Sequence, residues 1–121
     1  MNIQKAEGKE RFLELVEKNK EFLVVVEGKK DKEALEKLGF KRIKYLNKAL
    51  YKIVEEVVEE LGKRKEEKVL ILTDLDKKGE EIYKILNSAL QARGIKVDDR
   101  LRKFLRRNSK IRQIEGLRRH F

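Results

Sequence analysis

Hydrophobic positions change their period several times along the chain, and the changes mark out the elements. From about Lys9 to Lys18, Phe12, Leu13, Leu15 and Val16 recur at helical spacing among charges, which predicts a helix. Phe22 to Val26 and Val69 to Thr73 are uninterrupted apolar runs, the pattern of strands buried on both faces of a parallel sheet. Arg42–Leu46 and Ile95–Val97 read as two further strands. Asp31 is expected to cap a helix through Ala34, Leu35 and Leu38 that Gly39 ends. Asn47 is expected to cap a helix over 48–61, with Leu50, Ile53, Val54, Val57, Val58 and Leu61 on one stripe and Gly62 as its stop. After a charged loop from Lys63 to Lys68, a crossover helix over 80–93 should turn Ile82, Ile85, Leu86, Ala89 and Leu90 inward and stop at Gly94. Leu101, Phe104 and Leu105 predict an amphipathic C-terminal helix. Tyr45, Tyr51 and Tyr83 fall on strand and helix stripes as packing residues.

This alternation predicts an α/β fold of three layers, Rossmann-like, around a central, mostly parallel four-stranded sheet. Right-handed crossovers align the strands, and the first and third should be adjacent. Residues 1–20 form the N-terminal helix, 21–99 the core, and 100–121 a basic C-terminal segment packed on or extending the same domain.

Both buried runs end in carboxylates followed by glycine, as Glu27-Gly28 and as Asp74-Leu-Asp76-Lys-Lys-Gly79. Ligands of open α/β sheets bind beyond the carboxyl ends of the strands, where Glu27, Asp74 and Asp76 would stand. Their hard oxygens suit Mg2+, which takes one or two carboxylates plus waters and substrate phosphate. Without a cation, clustered carboxylates repel and tend to hold a proton. Gly28 lets a substrate backbone approach, and Gly79 allows a tight turn. Lys29, Lys30, Lys77 and Lys78 flank the acids and could hold phosphates, or could be ordinary surface lysines. The plainer readings are a solvated turn residue for Glu27 taken in isolation, and ordinary loop or capping residues for Asp74 and Asp76.

Composition narrows the chemistry. There is no cysteine and the single histidine is His120, so disulfides and thiolate zinc sites are excluded. Charged residues make up 45% of the chain, an excess typical of thermophile surfaces. No apolar stretch is long enough for a membrane span and no signal-peptide core is present, so a cytoplasmic protein without membrane contact is expected. Of the net charge of +10, residues 100–121 carry +8, nine Lys/Arg against Glu115. Such a basic end points to nucleic acid, with Arg102, Lys103, Arg106 and Arg107 as phosphate contacts. A solvated basic helix face is the plainer reading.

The two motifs resemble those of the Toprim domain, shared by topoisomerases, bacterial-type primases and overcoming-lysogenization-defect nucleases. The resemblance runs from about Glu21 to Val97 and is greatest to small stand-alone Toprim proteins. It implies Glu27 as general acid/base and Asp74 and Asp76 as magnesium ligands, the cation standing among all three, with Mn2+ as a substitute. It therefore implies Mg-dependent phosphodiester chemistry, as a small nuclease processing RNA or DNA. The alternatives are a non-catalytic nucleic-acid-binding subunit of a larger complex, or a metal-binding regulator of nucleotides. No strand-passage domain, zinc module or ATPase accompanies the motifs, so topoisomerase activity is not expected of this chain alone. A protein partner or homo-oligomer stays open, with Phe12, Leu101, Phe104 and Phe121 as interface residues if exposed.

Overall fold

The two uninterrupted apolar runs become neighbours at the centre of the sheet. The computed structural model describes residues 3–63 and 67–117. In chain order the elements are α1 (Ile3–Asn19), β1 (Leu23–Val26), α2 (Lys29–Lys37), β2 (Arg42–Tyr45), α3 (Leu50–Leu61), β3 (Lys68–Ile71), α4 (Lys77–Ala92), β4 (Lys96–Asp98), α5 (Arg100–Asn108) and a 3-10 turn (Ile114–Gly116). The strand order is β2-β1-β3-β4 and every pairing is parallel, so the three-layer α/β expectation holds. Leu23, Val24 and Val25 pair with Val69, Leu70 and Ile71, and all of β1 is buried.

Alternate residues of the central strands point to opposite faces, and each face has its own core. On one, Phe12, Leu15, Leu35, Leu101, Leu105, Ile114 and Leu117 pack with Val24, Val26 and Leu70. On the other, Ile53, Val57, Leu86 and Leu90 pack with Leu23, Val25, Val69 and Ile71. The C-terminal segment, through Leu117, is thus part of the first core. Phe12 and Leu101 are buried there and Phe104 packs against them, which removes the first two as interface residues. Phe121, Arg118 and Arg119 lie outside the described residues. Leu13, Tyr51 and Ile85 are exposed, contrary to expectation. Each adjoins a residue that does face the core (Phe12, Leu50, Leu86), and one step along a helix turns the side chain by about 100°, out of a narrow stripe.

Helix starts also differ from expectation, because the capping groups act from other positions. Helix α3 begins after Ala49 with no side-chain cap, so Asn47 plays no capping part. Asp31 lies inside the first turn of α2 and accepts the N–H of the N-cap residue Gly28 at 2.9 Å. Helix α4 starts at Lys77, with Asp76 as N-cap accepting the Gly79 N–H at 2.8 Å. Along the edge strand β2, Arg42 pairs with Glu60 and Glu67, and Lys44 with Glu56 and Glu60. Charges of this kind discourage edge-to-edge pairing.

Candidate metal and nucleic-acid site

From β1 the chain crosses to β2 on one side and returns with β3 on the other, so the strand order reverses between β1 and β3. This switch point is where open α/β sheets bind ligands. The loops beyond it carry Glu27-Gly28 and Asp74 to Gly79.

The acids are held by backbone amides. Glu27 Oε1 accepts the N–H of Asp74 at 3.0 Å, joining the two loops directly. Asp74 Oδ1 accepts the N–H of Ile114 at 2.9 Å, and Asp31 Oδ1 that of Glu115 at 3.1 Å. The Leu75 N–H donates to the Arg112 carbonyl at 2.7 Å. Residues 112–115 therefore stitch the two acidic loops together across the sheet edge. The buried Thr73 hydroxyl donates to the Gly79 carbonyl at 2.7 Å, locking the second loop onto the first turn of α4. A Cβ on Gly79 would stand 1.9 Å from the Asp74 carbonyl oxygen, so glycine is needed there for close packing rather than for turn conformation. At Gly28 a Cβ would meet only Asp31 Oδ2, at 3.7 Å.

Partial burial pushes the carboxyls of Glu27, Asp31 and Asp74 above their ordinary values, against the backbone hydrogen bonds that favour ionisation. Neighbouring charge adds to this: Asp74, Asp76 and Asp31 raise Glu27, while Asp76 and Glu115 raise Asp74. Among the described residues, however, no three or more His, Cys, Asp or Glu side chains are grouped to hold a metal ion. The expected three-carboxylate centre is not assembled among them; Glu27, Asp74 and Asp76 each give one oxygen to a backbone N–H, Asp76 as the cap of α4. The donor chemistry still fits a hydrated Mg2+: hard oxygens on two adjoining loops, with one oxygen of each of these carboxylates left for a cation that needs only one or two.

Lys29 and Lys30 begin α2, Lys77 and Lys78 begin α4, and all four are exposed beside the acids at helix N-termini, where anions are favoured. Lys103, Arg106 and Arg107 are exposed on α5. Arg102 departs from expectation: it is 3% exposed and donates to the Thr73 and Asp74 carbonyls, so it cannot serve as a surface phosphate contact. It is buried on α5 together with Leu101 and Leu105, and a basic residue at that position gives no sign in the sequence that it turns inward. A groove of about 660 Å³ lies between α2 and the C-terminal segment, lined by Lys30, Lys37, Gln113 and Glu115 among others.

The family model described as Toprim domain matches residues 22–111. The chain belongs to the Toprim family. This Toprim chain is 37% identical over 116 residues to a UPF0292 protein of Methanocaldococcus jannaschii, covering 89% of this chain and 88% of that protein. A UPF0292 protein of Thermococcus gammatolerans is 40% identical over 114 residues, covering 93% and 82%. A solved structure of an Aquifex aeolicus protein matches with a TM-score of 0.74 at 33% identity, over 88% of this chain and 95% of that one. Toprim membership connects the chain with metal-dependent nucleic-acid processing in general. None of its described helices is long and apolar enough to cross a membrane.

Proposed function

We propose that this Toprim protein cleaves or transfers phosphodiester bonds of RNA or DNA as a small magnesium-dependent nuclease. The observation that carries this reading is the Glu27 to Asp74 hydrogen bond, which brings both acidic motifs to the switch point of the sheet. Asp74 and Asp76 would hold Mg2+, or Mn2+ in its place. When bound, the cation withdraws charge from the scissile phosphate. Glu27, its carboxyl raised by burial and neighbouring acids, is suited to take up or release a proton at the attacking or leaving oxygen. Lys29, Lys30, Lys77 and Lys78 would bind flanking phosphates, and Lys103, Arg106 and Arg107 would extend the track along α5. The charged surface network and the similarity to archaeal proteins support a thermophilic setting.

The test is incubation of labelled single- and double-stranded RNA and DNA with the protein in magnesium and in chelator. Cleavage in magnesium alone, lost in Glu27→Gln, is the expected result. Binding without cleavage under every condition would replace this reading with that of a docking subunit.

A further inference from the structure

Beyond Leu70, opposite Asp98, β3 has no partner strand on the β4 side, because β4 ends there. The carbonyls that follow need donors from elsewhere. Arg102 of α5 supplies them. Its Nη1 lies 2.7 Å from the Thr73 carbonyl oxygen and 3.5 Å from that of Ile71, and its Nη2 donates to the Asp74 carbonyl at 3.0 Å. Nη2 also reaches Glu80 Oε1 at 2.9 Å, and the guanidinium lies 4.5 Å from the Tyr83 ring centroid. The Asp74 carbonyl is thus gripped by Arg102 and packed against Gly79.

We propose that Arg102 is a positioning residue for the second acidic motif, fixing the backbone from Thr73 to Asp76 that carries the Asp74 and Asp76 carboxylates. This deepens the metal-site reading and rests on it for what the loop holds. A guanidinium is suited to the task because its planar fork donates to several carbonyls at once, which a lysine ammonium cannot match. Burying it is costly, and its Nε is buried without a hydrogen-bond partner. The bonds to the loop and the ion pair to Glu80 offset that cost. No other described arginine or lysine side chain is as deeply buried.

Two measurements on Arg102→Lys separate positioning from bulk stability. In metal-free protein, amide hydrogen exchange should accelerate about tenfold or more at Leu75 and Gly79 while Val24 and Val57 keep their rates, as local loosening requires. Mn2+ affinity, read from the signal of free Mn2+, should fall about 10- to 100-fold, the usual effect of losing a group that orients metal ligands. Unchanged exchange at Leu75 and Gly79 overturns the proposal. So does uniform acceleration that includes Val24 and Val57, since it marks general destabilisation. If Arg102→Lys does not fold, Tyr83→Leu withdraws the ring while sparing the carbonyl bonds, and the same local pattern decides. A wild-type protein that binds no Mn2+ refutes the metal reading, and the exchange pattern then judges the positioning role by itself.

Discussion

The Glu27 carboxylate and the Asp74 backbone N–H, 47 residues apart in sequence, meet at 3.0 Å between the central strands. One oxygen of the candidate general acid/base is thereby a structural acceptor, and the other is left for chemistry. The two roles can be separated by substitution. Glu27→Gln keeps an acceptor for Asp74 and should melt within a few degrees of wild type while losing phosphodiester cleavage. Glu27→Ala leaves a partly buried N–H unpaired and should cost about 1–2 kcal/mol as well. Denaturant melts of the pair decide this, and equal stability would show that the bond contributes nothing.

Gly79 and Gly28 should behave oppositely. Because a Cβ at Gly79 would overlap the Asp74 carbonyl, Gly79→Ala forces α4 away from the loop and should destabilise by about 2–4 kcal/mol. Gly28→Ala meets only ordinary contact and changes an N-cap, so about 1 kcal/mol is the most it should cost. A folded Gly28→Ala protein that has lost nucleic-acid cleavage would identify Gly28 as a point of close substrate approach.

Asp74 links acidity to stability. Its folded carboxyl is raised above the ordinary 3.8, so ionisation is less favourable in the folded chain than in the unfolded one. The resulting stability penalty is fully present above the folded value and vanishes as pH falls below the unfolded one. Asp74→Asn keeps an oxygen for the Ile114 N–H. In metal-free buffer it should therefore melt a few degrees higher than wild type at neutral pH, with the gain disappearing by about pH 3. Thermal melts across that range check the sign; a gain that grew on acidification would contradict it.

The exposed cations of α5 should set the salt dependence of nucleic-acid binding. Replacing Lys103, Arg106 and Arg107 with Gln removes at most three phosphate contacts, so the slope of log affinity against log salt should flatten by about 2 to 3 for duplex. The buried Arg102 does not belong in that set. An unchanged slope in the triple variant would show that α5 faces solvent only.

Local pattern determined much of this protein. The unbroken runs from Phe22 and Val69 suit strands buried on both faces, and their carboxyl ends lead into Glu27, Asp74 and Asp76, so the fold class and the edge bearing the acids were readable from residues alone. Hydrogen bonds between distant segments were not, because no periodicity records them. Only the tertiary structure put the Ile114 and Glu115 amides on Asp74 and Asp31, joined Glu27 to the Asp74 amide, and buried Arg102 against the second acidic loop. A basic residue on an amphipathic helix has the same sequence signature whether it faces solvent or unpaired carbonyls. The end of β4 at Asp98 leaves those carbonyls without a strand partner, and that is what draws this one arginine inward.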